Sequence, residues 1–416
     1  MTHPAAVFIW IIALASIGLM LLRPKGISEA YWACGGALLL LATRLVPLHQ
    51  AAHAVREGRN VYLFLAGMMI LAELAREEGV FEWLADVAAQ HAKQSAWRLF
   101  VLIYLVGTLV TALLSNDATA VVLTPAVLAV VRKAKVEPKP YLLACAFIAN
   151  AASFVFPISN PANLVVFDGH VPALAAWLTI FALPSLASLV ATLVCLGWNS
   201  HKELRGEFAG SVERIRLSKE GKLALAGLLT AAGVLVASSA IGLSLGLPTC
   251  VAALLAMALV GWSDRGILPR IAKGVSWSVL PLVAGLFVIV EALQNAGLLR
   301  FGLAGLHALK QSSALVAKVT AAFWVALLSN GMNNLPVALM SGAAIQHAPE
   351  SRTMAHAILI GVDLGPNLSV AGSLATILWL IALRREGVEI TGWQFFKVGM
   401  IAMPVALIAS LLFLWS

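Results

Sequence analysis

The sequence predicts an all-α membrane protein with about ten transmembrane helices plus two re-entrant helical hairpins, arranged as two inverted-topology repeats. Three observations point there. Of 416 residues, 61% are hydrophobic and only 12% charged, at a mean hydropathy of +0.91, whereas soluble domains run near half and a quarter. Apolar runs recur from Ala5 to Trp415. Polar landmarks of the first half return in the second.

A crossing needs about 20 apolar residues, so ten crossings use roughly 200 positions and leave no room for a sizeable soluble domain. The runs do not alternate, which excludes an outer-membrane barrel. The first run, Ala5 to Leu22, meets Arg23, Pro24 and Lys25 without a small-residue cleavage site and reads as a retained helix, not a signal peptide. Runs follow at 29–47, 61–75, 97–131, 141–167 and 173–198. After a charged connector come runs at 223–241, 247–262, 275–293, 314–345, 354–383 and 393–415. The expected organisation is a first repeat over 1–198, with hairpin 97–132 and broken helix 141–168. A cytoplasmic linker over 199–222 leads to a second repeat over 223–416, with hairpin 312–346 and broken helix 353–383.

Internal similarity supports duplication. Ala66, Gly67, Glu73 and Gly79 return 218 residues later as Ala284, Gly285, Glu291 and Gly297. Leu113-Leu114-Ser115-Asn116 returns 214 residues later as Leu327-Leu328-Ser329-Asn330. In the fourth run of each half, the arm after the polar step is too short to span and reads as re-entrant. The tips are then Ser115 to Thr119 and Ser329 to Asn334. Five crossings and one hairpin per half invert the second half relative to the first; twelve plain crossings have the same parity.

The net charge of +8 is spread through short connectors, so it reads as topology rather than a nucleic-acid surface. With the N-terminus outside, most of the 28 Lys and Arg fall on the inner side. The expected location is a bacterial inner membrane with a periplasmic N-terminus. Cys34, Cys145, Cys195 and Cys250 sit in separate runs and form neither a disulfide frame nor a metal site. No Walker, GxSxG, HExxH or GxGxxG motif occurs, so no cofactor and no hydrolase machinery are expected.

Polar residues inside hydrocarbon are costly and are kept for function or to join helices. Four clusters stand out: Ser115, Asn116, Asp117, Thr119 and Thr124; Asn150, Ser153, Ser159, Asn160 and Asn163 with Pro157 and Pro161; Ser329, Asn330, Asn333 and Asn334 with Pro336; and Asp363, Asn367, Ser369, Ser373 and Thr376 with Gly365, Pro366 and Gly372. Proline and glycine among amides are what a broken helix requires. Broken ends meeting at the midplane would form a polar pocket; the plain alternative is that these amides only glue helices together. The clusters hold no Arg, Lys or His, which disfavours a multiply charged anion. A small neutral polyol-like solute or a cation fits better, and Asp117 and Asp363 are the expected proton-coupling carboxyls. Glu73 and Glu291 read as proton-path carboxyls or as polar helix ends. His170, His307, His347 and His356 read as solvated histidines at run ends, and the amphipathic stretches 81–93 and 298–310 as interfacial.

The tip Ser115-Asn116-Asp117-Ala118-Thr119-Ala120 with Leu123-Thr124-Pro125, the step Ser159-Asn160-Pro161-Ala162-Asn163-Leu164, the segment Met332-Asn333-Asn334-Leu335-Pro336, and Asp363-Leu364-Gly365-Pro366-Asn367 through Gly372-Ser373-Leu374-Ala375-Thr376 resemble the arsenical pump membrane protein (ArsB) family of the ion transporter superfamily. The resemblance spans essentially the whole chain. It implies export of arsenite and antimonite against inward proton movement, a scaffold domain and a moving transport domain, and in some members a separate soluble arsenical pump ATPase. It carries substrate-binding roles onto Ser115, Asn116, Thr119, Asn160, Asn163, Asn330, Asn333, Asn334, Asn367, Ser373 and Thr376. Asp117 and Gly331 follow the asparagines of the tips, a departure from sodium-coupled dicarboxylate carriers. The competing readings are a sodium/proton exchanger, a silicic-acid exporter, and a membrane-embedded enzyme with an Asp acid/base pair. Thiol capture of arsenic by Cys145 is the chemical rival. Oligomeric state is left open, a homo-oligomer included.

Overall fold

In a computed structural model, residues 3–167, 171–207, 216–298, 300, 302, 304–305, 307, 312–347 and 352–414 are described. Among these residues the chain is helical, with one isolated bridge between Ser95 and Glu207 and no strand. Helices are what hydrocarbon permits, because each satisfies its own backbone hydrogen bonds without water. Eight described helices are long and apolar enough to cross a membrane, or nine if the pair 48–57 and 59–77, bent by 48°, is one span. Phe8, Leu14, Leu186, Leu255 and Trp262 are exposed on their outer faces, the surface that lipid would cover.

The first half runs α1 (His3–Leu22), α2 (Glu29–Ala42), α3 (Leu48–Glu57), α4 (Arg59–Glu77), α5 (Val80–His91), α6 (Ala96–Leu113), α7 (Thr124–Ala134), α8 (Lys139–Ala151), α9 (Pro161–Val166) and α10 (Leu174–Asn199). Then come α11 (Lys219–Ala240), α12 (Gly246–Ser263), α13 (Ile267–Gly274), α14 (Val279–Asn295), α15 (Ala314–Met332), α16 (Asn334–Gln346), α17 (Arg352–Leu364), α18 (Leu374–Arg385) and α19 (Gly392–Leu412).

Breaks fall where the polar clusters lie. Between α6 and α7 the chain turns at Leu114 and passes through a π-helical turn, Ala118–Leu123. Between α15 and α16 a single residue, Asn333 (φ 72, ψ 151), makes the corner. The α8–α9 and α17–α18 pairs are parted by short 3-10 turns, Pro157–Ser159, Gly365–Asn367 and Val370–Gly372. Proline at the start of each following segment (Pro161 in α9, Pro366 in the Gly365 turn) has no N–H to lose there.

Packing pairs occur twice. α4 packs on α12 and α14 on α2; α6 on α8 and α15 on α17; α9 on α16 and α18 on α7. At two of these contacts the helices meet backbone to backbone on a glycine. A Cβ on Gly67 would lie 2.7 Å from the Thr249 carbonyl carbon, and one on Gly285 2.8 Å from that of Ala33. α8 is joined to the Gly365–Asn367 turn after α17 by Asn150 Nδ2 donating to Asn367 Oδ1 at 3.0 Å, while Asn367 Nδ2 donates to the Phe147 carbonyl at 3.1 Å.

α5, at 12 residues, is too short to span. His356 departs from the expectation of a solvated histidine: it lies inside α17 with its ring 5.6 Å from that of Phe181 and 6.2 Å from Phe167. The apolar run around 354–383 continues through it, so its polar edge does not mark a run end. His347 is exposed, whereas His170 and most of the 298–310 stretch fall outside the described residues.

Candidate functional site

Four helix starts converge on one small cavity. Asn116 and Asp117 come from the α6–α7 turn, Asn160, Pro161 and Ala162 from the start of α9, Asn333, Asn334 and Leu335 from the start of α16, and Ser373 and Leu374 from the start of α18. Each start is capped by its own side chain. Asn160 Oδ1 accepts from Ala162 N at 3.0 Å, Asn333 Oδ1 from Leu335 N at 3.3 Å, Ser373 Oγ from Ala375 N at 3.1 Å, and Ser115 Oγ from Ala118 N at 3.2 Å. Caps of this kind satisfy one of the orphan donors of a helix start, so a multivalent anion finds fewer free N–H groups than bare N-termini offer. Apart from Glu29 of α2, the rest of the wall is apolar: Met20, Leu21, Leu65 and Ile377, with Val279, Leu282, Val283 and Leu286 of α14. The cavity measures about 50 Å³, room for three or four water-sized groups at roughly 10–15 Å³ each.

Six of the expected residues line this cavity: Asn116, Asp117, Asn160, Asn333, Asn334 and Ser373. The others stand behind it. Thr119 exchanges a hydrogen bond with Thr111 at 2.7 Å, and Thr376 Oγ1 donates to the Ser373 carbonyl at 2.8 Å. Asn163 Nδ2 donates to the Ser153 carbonyl at 2.8 Å; Asn330 Nδ2 donates to the Ala326 and Gly365 carbonyls at 2.7 and 2.9 Å. These side chains hold unwound backbone in place. Asp363 is fully buried and reaches the cavity through one neighbour, its Oδ1 accepting from Asn160 Nδ2 at 2.7 Å, while its Oδ2 has no partner.

A second space of about 560 Å³ adjoins the first and shares Leu65, Asp117, Pro161, Val279 and Leu374 with it. Asp117 therefore stands between the two. The larger space carries Ser115, Val121, Val122 and Pro125 from the turn and α7, and runs to Glu73, Arg76, Glu82, Arg385 and Glu386. Three of these charges are paired, Arg76 with Glu73 (and with Glu77), and Glu386 with Arg132 at 3.6 Å. Glu73 is thus the polar end of α4 as well as a wall residue, and Gly274 leaves the room it occupies. On α5, outside the spans, burial pushes the Glu82 and Asp86 carboxyls above the ordinary carboxylate range. Asp86 is fully buried and neither oxygen has a hydrogen-bond partner.

A sequence model described as citrate transporter matches residues 6–365. The chain belongs to the citrate transporter family. It is similar to the arsenical pump membrane protein of Escherichia coli (strain K12), 29% identical over 410 residues and 94% of each chain, and to that of Yersinia enterocolitica, 28% identical over 92% of each. An uncharacterized transporter of Mycobacterium tuberculosis is 27% identical over 86% of each chain. In fold the chain is similar to the crystal structure of the Alcanivorax borkumensis YdaH transporter, described as having an unusual topology, with TM-score 0.58 at 13% identity over 88% of this chain and 86% of that one. The chain is thus a multi-pass membrane transporter with the helical fold of its family.

One wall residue escaped the sequence reading. Glu29, at the start of α2, lines the cavity together with residues of the four polar clusters. An acidic residue after Ser28 reads locally as an ordinary favourable charge at a helix start, and only the packing of α2 on α14 brings it to the site. None of the four cysteines is among the cavity-lining residues.

Proposed function

We propose that this chain exports arsenite and antimonite across the bacterial inner membrane in exchange for protons, by alternating access between two inverted repeats. The observation that carries this reading is the position of Asp117, a carboxyl on the wall shared by the small cavity and the larger space. A carboxyl so placed can take a proton from one side and yield it as substrate enters the other.

The cavity suits the substrate. Arsenous acid is a central atom bearing three hydroxyls, mostly uncharged at neutral pH, and about 50 Å³ accommodates three or four water-sized groups. Amide oxygens, a serine hydroxyl and carboxylates supply acceptors for its hydroxyls. A tricarboxylate needs more room and several unpaired cations. The relatives named arsenical pump membrane protein, matched over 94% of each chain, support the same substrate class.

The larger space ends among Arg76, Arg385 and Glu386, the last paired with Arg132, and the positive-inside rule assigns these arginines to the cytoplasm; the N-terminus is then periplasmic and the site open inward. The scaffold is assigned to the α2–α14 and α4–α12 pairs and the moving part to the hairpins and broken helices, whose doubled packing supports an inverted duplication. Arsenite uptake into everted vesicles tests the reading. An imposed acid-inside gradient should drive accumulation and an uncoupler should abolish it; accumulation indifferent to the uncoupler contradicts it. Sodium-dependent proton flux without arsenite uptake would identify a cation exchanger instead.

A further inference from the structure

Glu29 is 7% exposed, yet it lies on the cavity wall among Met20, Leu21 and Leu282. Its Oε1 faces Arg23 Nε at 3.1 Å, but the two are not aligned as a hydrogen bond, and both atoms are buried without a hydrogen-bond partner. The connector that presents the arginine is held in left-handed backbone, with φ 44 at Arg23, 57 at Lys25 and 71 at Gly26. Non-glycine residues in that region are strained and persist where the surroundings hold them.

These features fit a purpose that neither partner serves for the other. Arg23 offsets the charge of Glu29, so the pair does not make the cavity strongly anionic. Their misalignment leaves the Glu29 oxygen ion-paired but without a hydrogen bond, an acceptor position that a donor can still fill. A hydroxyl of a small solute in the cavity is such a donor. α2 packs against α14 and α1 and contributes to none of the four polar clusters, so this contact comes from an element separate from them.

We propose that Glu29 is a substrate-binding residue that accepts a hydrogen bond from a hydroxyl of a small neutral polyhydroxy solute, with Arg23 as its positioning residue. The inference rests on the arsenite reading above and deepens it. It assigns recognition to Glu29 and proton coupling to Asp117, two carboxyls with separable signatures. Removing Glu29 should weaken binding and leave the pH profile of turnover in place.

The test is titration of sodium arsenite into the purified full-length chain in detergent, with transport measured in everted vesicles. Glu29→Gln removes the charged acceptor, and Glu29→Asp keeps the charge but withdraws it by one methylene. Both should bind arsenite at least tenfold more weakly and raise KM, with the pH dependence of kcat unchanged. On the native chain, arsenite should slow carbodiimide labelling of Glu29, read by mass spectrometry, which does not depend on either variant folding. A wild-type chain that neither binds nor transports arsenite overturns the arsenite reading itself. A wild-type chain that does both, with unprotected Glu29 or variants of unaltered affinity, overturns the role of Glu29 alone.

Discussion

Asn160→Ala removes two interactions at once. Asn160 Oδ1 caps α9 through Ala162 N, and its Nδ2 is, among the described residues, the sole hydrogen-bond donor to the fully buried Asp363 carboxyl, whose other oxygen already lacks a partner. Loss of an N-cap costs about 1 kcal/mol, and stripping a buried carboxyl of its remaining hydrogen bond costs about 1–3 kcal/mol more, giving roughly 2–4 kcal/mol in total. Asp363→Ala alone should cost less, because Asn160 lines the cavity and its freed amide can turn to water. The double variant should then recover much of the Asn160→Ala loss. Denaturant unfolding of both single variants and the double in mixed micelles gives the cycle, with an expected interaction energy of about 1–3 kcal/mol. Additivity within about 0.5 kcal/mol would refute the claim that this pair is one unit.

Gly67→Ala and Gly285→Ala should each destabilise by about 1–3 kcal/mol, since each Cβ would press on helix backbone. Gly35→Ala, with nothing within 4 Å, should be near neutral in the same unfolding assay. Asp86→Asn tests the buried carboxyl of α5. Burial raises its folded-state pKa, so its stabilising contribution is complete below the unfolded value and lost as pH rises through the folded one. The asparagine variant should match wild type near pH 4 and melt at a higher temperature at pH 8; a gap of equal size at both pH values would remove that explanation. A variant lacking all four cysteines should transport arsenite with unchanged KM in vesicles, and lost transport would revive thiol capture.

The helical membrane architecture was legible because hydrocarbon penalises polar groups so strongly that each exception stands out. Asn160 beside Pro161, Asn333-Asn334 before Pro336, and Ser373 after Gly372 announced themselves as helix interruptions on cost alone, and the helix starts fall on them. What type and spacing do not encode is the direction a side chain takes once its helix has unwound. Asn160 and Asn163 are three residues apart, yet one lines the cavity and the other ties down the Ser153 carbonyl. The bond from Asn150 to Asn367 joins residues 217 apart, and no local pattern specifies it. Glu29 was invisible for the opposite reason: its position at a helix start explains it completely until the partner helix is known. His356 looked polar at a run end, but its ring is amphipathic and packs between Phe167 and Phe181.

The most direct test of the account is simultaneous measurement of arsenite and proton flux in liposomes holding the purified chain, wild type against Asp117→Asn. The wild type should move the two in opposite directions at a fixed ratio, with a rate that depends on pH. The variant should lose proton flux and pH dependence together while still binding arsenite. Proton-coupled arsenite flux that is unaltered in the variant would contradict the placement of the coupling carboxyl between the two spaces.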